Sequence, residues 1–280
     1  HYIYLTKYPI INNFKISQLF KYYRSELIET NSFSENKTMY DMYKTNSKRP
    51  IITIGCSFTE GVEGPEKTFA YELNRVTGRK TYNRGKSAVS PAFIYHQLVR
   101  GNIKEQIPDA EYVIYIFIYN QIQRLFRKIS LTYNKTCYQP MYKIENNQLK
   151  ETKTYLEWLY PLYSIKMLDN WISSTKVNNE FISDLPLFMS IIKATNDRIH
   201  ELYPNSKFVF IEYQDIYERK SLNSEQIKQI KDMGILYFNA EDLIGKDLIL
   251  SKKCLADDGY HPNYYAYQKM TEALVKKLNL

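Results

Sequence analysis

Cysteine, glycine, proline and tryptophan are all scarce in this chain: its 280 residues hold 3 Cys, 9 Gly, 10 Pro and 2 Trp. Cys56, Cys137 and Cys254 make neither a C-x-x-C pair nor a Cys/His cluster at zinc spacing. They close at most one disulfide, which excludes a disulfide scaffold and leaves the redox compartment open. So little Gly and Pro excludes collagen-like and linker-dominated chains. No apolar run approaches the roughly 18 to 20 residues that a membrane-spanning helix needs. Wholesale disorder is excluded by what is present, since 44% of the residues are hydrophobic and 15% aromatic. A chain of this size with that apolar content suits one large α/β domain or two small ones.

Charge of neither sign dominates locally. The 38 basic and 30 acidic residues sum to +8. A surplus of that size favours anionic partners in general, whether nucleic acid, a phosphate-bearing wall polymer or a membrane surface. The basic residues do not gather into a block, however, and no motif locates the phosphate contacts of a nucleic-acid binder. No nucleic-acid partner is therefore expected. The abundance of Lys, Asn, Ile and Tyr is the bias of an AT-rich genome. The sequence opens on His1 without a Met or signal peptide and reads as a fragment whose natural N-terminus lies elsewhere.

Along the chain, residues 1–48 are polar and aromatic, with a helical stretch near Ile16–Ile28. From Pro50 the character changes. Ile51-Ile52-Thr53-Ile54-Gly55 reads as a buried strand. Pro65 is expected to open a helix running to Val76, with Thr77-Gly78 as its stop. A second strand is expected from Lys80 to Asn83, ending near Gly85, and a helix over Pro91–Val99. Tyr112 to Tyr119 is apolar on both faces, the mark of a central strand covered on both sides. The rhythm returns with helix Leu187–Leu202, strand Lys207–Tyr213, helix Ser224–Met233, strand Ile235–Phe238 and helix Asn263–Leu278. Strands alternating with helices predict a parallel, doubly wound sheet.

Between the third strand and Leu187 the pattern breaks for about sixty residues, longer than ordinary connections and so an insertion. It holds an expected hairpin, Tyr142–Glu145 with Gln148–Lys150 around Asn146-Asn147. An aromatic segment follows, with Tyr155, Trp158, Tyr160, Tyr163 and Trp171. Such a segment forms either a binding wall or a small core of the insertion itself.

Ligands of doubly wound sheets bind beyond the carboxyl ends of the strands. After the first strand comes Gly55-Cys56-Ser57-Phe58-Thr59-Glu60-Gly61, after the second Asn83-Arg84-Gly85, and after the third Asn120-Gln121. Beyond the fifth comes Asp257-Asp258-Gly259-Tyr260-His261-Pro262. Nucleophile, oxyanion donors, base and base-orienting acid thus collect at one sheet edge, as acyl transfer requires. Asp258 and His261 share a Gly/Pro-containing loop that can set the carboxylate against Nδ1, fixing the tautomer and stabilising the imidazolium. Ser57 N–H, Gly85 N–H and the Asn120 amide are the candidate oxyanion donors. Tyr119, Tyr260 and Trp158 are candidates for substrate binding.

Each of these residues also has a plainer use. Ser57 alone would serve as a helix cap, and Asp-Gly-Tyr-His-Pro alone as a turn. His1 is terminal, while His96 and His200 sit inside helical patterns. Asp257 is the alternative orienting acid, one residue too far from His261. Cys56 offers a thiol nucleophile, but a cysteine beside a buried strand is more often an inert small hydrophobe.

Gly-Cys-Ser-Phe-Thr-x-Gly resembles the serine block of the GDSL, or SGNH, hydrolase superfamily. Ser57, Gly85, Asn120 and Asp258-x-x-His261 resemble its four blocks, in order, over about residues 50 to 280. The resemblance implies a flavodoxin-like three-layer α/β/α sandwich with a parallel five-stranded sheet. Residues 1–48 would be an N-terminal extension packing on the main domain, and 49–280 the hydrolase-like domain, with an insertion over about 122–185. It also implies an esterase or deacetylase acting through Ser57, His261 and Asp258 on an O-acylated glycan, a cell-envelope polymer or another small acyl ester. Neither metal nor organic cofactor is implied. An O-acyltransferase with the same residues, or a silent glycan-binding domain, are the alternatives. Proteins with this serine block often carry an N-terminal membrane anchor, which makes an extracytoplasmic location the expectation and a cytoplasmic one the alternative. Two departures stand out: Cys56 replaces the usual Asp, and the third block, Ile118-Tyr119-Asn120-Gln121, keeps only its asparagine.

Overall fold

The structure is a computed structural model and describes residues 46–126, 129–132, 135–138, 140, 142–146, 148–152, 185–214 and 220–280. The helix expected at Ile16–Ile28 and the aromatic residues from Tyr155 to Trp171 lie outside the described residues.

Strand β1 (Ile51–Gly55) leads into a single helical turn, α1 (Ser57–Glu60), and then α2 (Phe69–Thr77). After β2 (Thr81–Gly85) come α3 (Pro91–Arg100) and α4 (Ile103–Gln106). Strand β3 (Tyr112–Ile118) hands over directly to α5 (Asn120–Gln123). Two short antiparallel pairs follow, β4 (Ile129–Thr132) with β5 (Lys135–Tyr138) and β6 (Tyr142–Glu145) with β7 (Gln148–Glu151). The last part of the chain forms α6 (Leu185–Leu202), β8 (Lys207–Tyr213), α7 (Ser224–Asp232) and β9 (Leu236–Asn239). It closes with α8 (Ala240–Ile244), α9 (Lys246–Ile249) and α10 (Tyr264–Leu278).

Five strands pair in parallel in the order β2-β1-β3-β8-β9. Both β1 and β3 are buried along their whole length, the state of strands covered on two faces. Helix α2 packs on α10, which also holds α8, while α3 packs on α6, which also holds α7. The expected three-layer α/β/α arrangement is the observed one. The chain moves from β1 to β2 on one side and then crosses to β3 on the other. That reversal falls between β1 and β3, and doubly wound folds take their ligands beyond the carboxyl ends of the strands at such a point. Among the described residues no helix is long and apolar enough to cross a membrane.

Capping chemistry sets the helix limits. Residues Pro65–Lys67 form only a 3-10 turn, and α2 starts at Phe69 rather than at Pro65. The reason is Thr68, extended in its backbone, whose Oγ1 accepts the Tyr71 N–H at 3.1 Å. Asn223 and Gln226 form a capping box at the start of α7, and Asn263 caps α10 through the Ala266 N–H. The hairpin around Asn146 falls where the sequence places it, one residue longer on its second strand.

Candidate active site

Ser57 is the first residue of α1, directly past β1, and is 7% exposed. The turn closes because the Cys56 carbonyl accepts the N–H groups of Thr59 and Glu60, each at 2.9 Å. Phe58 and Thr59 are wholly buried, so the turn is seated by its side chains as well as its backbone. Burying a phenylalanine contributes about 1.5–3 kcal/mol. Thr59 Oγ1 donates back to the Ile54 carbonyl at 3.1 Å, and Tyr267 of α10 donates to the Phe58 carbonyl at 3.0 Å. A side chain at Ser57 therefore stands on a turn tied both to its own strand and to a helix of the covering layer.

The imidazole beside Ser57 arrives from the far end of the chain. Residues 256–261 form a tight loop whose neck is the bridge between Leu255 and Pro262. The Ala256 N–H donates to the His261 carbonyl at 2.8 Å and the Gly259 N–H to the Ala256 carbonyl at 2.9 Å. Gly259 has φ 68°, the left-handed conformation that a residue with a side chain adopts only at a cost. The turn folds Asp258 under the imidazole. Its Oδ1 accepts the backbone N–H groups of Tyr260 and His261, both at 2.9 Å, and its Oδ2 lies 2.5 Å from His261 Nδ1. On the other side of the ring, His261 Nε2 lies 2.8 Å from Ser57 Oγ. With the Nδ1 proton facing the carboxylate, Nε2 is the acceptor of the serine hydroxyl.

Desolvation alone would raise the Asp258 carboxyl. The N–H groups of His261 and Tyr260, together with the imidazole, outweigh it and hold the carboxyl below its ordinary value. Asp258 is thus kept as an anion beside the ring it orients. Its side chain is 44% exposed against 18% for His261, so the relay dries progressively toward the serine.

The three proposed oxyanion donors meet different fates. Ser57 and Asn120 open α1 and α5, at the adjacent carboxyl ends of β1 and β3. Gly85, the expected third donor, has its N–H on Asn83 Oδ1 at 2.9 Å. The glycine is needed for another reason. A Cβ there would stand 2.2 Å from the Glu60 nitrogen, so only glycine lets β2 approach α1 so closely. Asn83, which sequence reasoning did not single out, completes the junction. Its Nδ2 donates to the carbonyls of Thr59 and Glu60 at 3.0 and 3.1 Å. Glu60 in turn accepts the Ser87 N–H at 2.6 Å and the Ser87 hydroxyl, fastening the loop after β2.

Of the substrate-binding candidates, Tyr260 lies at the centre: its hydroxyl accepts an N–H from Asn120 Nδ2 at 2.7 Å. Tyr119 is half-buried against the core at the start of α5, and Trp158 lies outside the described residues. Gln121, next to Asn120, is wholly buried, and its Oε1 accepts from the Tyr115 hydroxyl at 3.0 Å. It braces the β3–α5 turn from inside. Cys56 is buried and its neighbour Ser57 is what the imidazole reaches. His96 faces Tyr142 and Glu151 at the hairpin, and His200 faces the Asn196 carbonyl. Asp257 is exposed, leaving Asp258 as the carboxylate against His261. Among the described residues no three His, Cys, Asp or Glu side chains gather as metal ligands.

No protein-family model matches this chain, and no curated protein matches its sequence. Solved structures do resemble it. One is a lipolytic protein of the G-D-S-L family from Desulfitobacterium hafniense DCB-2, at 14% identity and TM-score 0.48, with 82% of this chain covering 99% of that one. Another is an α/β hydrolase enzyme from the metagenome of Lake Arreo, at 12% identity and TM-score 0.49, with 85% covering 98%. A third is a catalytic mutant of an acetylxylan esterase from Geobacillus stearothermophilus, at 11% identity and TM-score 0.47, with 85% covering 97%.

Proposed function

We propose that this protein is a serine-dependent acyl-ester hydrolase. The observation that carries the reading is the unbroken relay from Ser57 Oγ through His261 to Asp258, at 2.8 and 2.5 Å. Its members come from opposite ends of the chain, and packing alone gives no reason to line up a serine, an imidazole and a carboxylate at a ligand-binding sheet edge. In this reading His261 Nε2 takes the Ser57 proton as Oγ attacks the ester carbonyl, and Asp258 stabilises the imidazolium that results. The carbonyl oxygen becomes an oxyanion facing the Ser57 N–H and the Asn120 amide, preorganised donors of a kind each worth about 100- to 1000-fold in kcat. Collapse of the tetrahedral intermediate expels the alcohol, which takes its proton from His261, and leaves an ester on Ser57. Water, deprotonated by His261, then attacks that ester, and the carboxylic acid departs as Ser57 regains its proton.

The test is covalent. A fluorophosphonate should label the wild-type protein at Ser57, located by peptide mass spectrometry, and leave Ser57→Ala unlabelled. Hydrolysis of p-nitrophenyl acetate and of acetylated glycans should fall by about 10⁴-fold or more in Ser57→Ala and His261→Ala. A wild type that neither labels nor outpaces both variants on any of these esters would overturn the reading.

A further inference from the structure

Tyr260, next to His261 in the chain, touches two members of the relay and the residue that follows the third. The backbone N–H of Tyr260 donates to Asp258 Oδ1 at 2.9 Å. Its ring meets the His261 ring edge-on at 5.0 Å and 78°, and the buried Phe58 ring of α1 at 5.3 Å and 81°. Its hydroxyl holds Asn120 Nδ2 at 2.7 Å across a sequence separation of 140 residues. A side-chain amide is soft about its last torsion, with a broad and roughly two-fold profile. Anchoring one N–H on a fixed phenol oxygen sets the plane of the amide, and the direction of the second N–H follows from that plane.

We infer that Tyr260 is a positioning residue, whose hydroxyl fixes the Asn120 amide for oxyanion binding and registers it to the loop that carries His261. The inference rests on the hydrolase reading and goes beyond it. Packing against Phe58 and His261 needs only the ring, which phenylalanine would supply equally. A hydroxyl that reaches the Asn120 amide at the end of β3 is what packing does not require. Gly85 N–H is committed to Asn83, so fewer donors face the oxyanion and the aim of the Asn120 amide matters more.

The experiment is a double-mutant cycle on the full chain with Tyr260→Phe, Asn120→Ala and both together, thermal melts confirming that each variant is folded. With p-nitrophenyl acetate, Tyr260→Phe should lower kcat by about ten-fold, the worth of one hydrogen bond, and leave KM unchanged. Asn120→Ala should lower kcat by about 100- to 1000-fold, and adding Tyr260→Phe to it should change nothing further. Wild-type kcat in Tyr260→Phe, or an undiminished ten-fold effect in the Asn120→Ala background, overturns the inference. A second readout needs no turnover. The Asn120 side-chain amide pair in a ¹⁵N-correlation spectrum, assigned by its loss in Asn120→Ala, should shift in Tyr260→Phe; a pair that does not move also overturns it. Failure of the wild type to label or turn over would instead sink the hydrolase reading, and the spectrum would still decide the contact.

Discussion

Asp258 combines a structural and an electrostatic task in one carboxylate. One oxygen gathers two backbone N–H groups and shapes the loop, while the other meets the imidazole. Asp258→Asn preserves most of the shape but presents an amide where the ring needs an acceptor, favouring the wrong tautomer. Its kcat/KM should fall by about 10³- to 10⁴-fold with KM little changed, measured on p-nitrophenyl acetate. The depressed carboxyl also has a stability signature. The unfolded chain binds that proton more tightly than the folded one, so stability rises with pH as the group ionises. The advantage of wild type over Asp258→Asn in melting temperature should be fully present above the ordinary Asp value of about 3.9 and shrink as pH falls below it. An advantage that does not depend on pH between 3 and 6 would contradict this assignment.

Among the secondary elements, the single turn α1 decides whether the serine is in place. It is too short to persist alone, since isolated helices shorter than about 12–15 residues are marginal. Its anchors are Asn83, Gly85 and the Tyr267 hydroxyl. Asn83→Ala leaves a buried carbonyl, a part-buried one and the Gly85 N–H without this partner, a cost of about 1–3 kcal/mol in chemical denaturation. Fluorophosphonate labelling should slow in that variant. Gly85→Ala should slow it more, because the added methyl has backbone as its nearest neighbour and α1 must yield. Normal labelling in Gly85→Ala would show that the close approach is dispensable. These anchors explain what the sequence could and could not reveal. Ser57, Asp258 and His261 are legible because a serine, a carboxylate and an imidazole follow strand ends and keep a loop spacing. Asn83 is not, because a polar residue near the end of a strand carries no period and no motif. Gly85 is ambiguous in the sequence: a glycine at a strand end signals an exposed N–H or a close approach, and only the neighbour across the gap reveals the latter. The start of α2 is obscured similarly, since Pro65 and Thr68 both announce a helix and the threonine prevails by its hydrogen bond.

At the scale of the molecule, the parallel sheet is readable in advance because β1, β3 and β8 are apolar on both faces, a pattern few other settings allow. A buried carboxylate nevertheless lies in that core. Glu212 of β8 is 1% exposed, and burial raises its carboxyl above the ordinary value. The Tyr237 hydroxyl at 2.5 Å and the Leu222 N–H at 2.7 Å pull the other way without prevailing, and Glu241 adds to the rise. Here the folded state holds its proton more tightly than the unfolded chain, so stability declines as pH climbs from the ordinary Glu value of about 4.3 through the raised one. Glu212→Gln can keep both contacts, its oxygen toward Leu222 and its amide toward Tyr237. Its melting temperature should gain on wild type across that pH interval and then hold a constant lead; parallel curves from pH 4 to 8 would refute the account.

The central ladder, from Tyr112 opposite Lys207 to Ile118 opposite Tyr213, joins an early half of the chain to a late one. Ser57 and Asn120 belong to the first half, Asp258 and His261 to the second. A polypeptide divided between Thr152 and Leu185 should therefore yield two pieces, each inert toward fluorophosphonate, that regain labelling at Ser57 when co-expressed and zipped together along β3 and β8. The protein would then serve as its own reporter of reassembly.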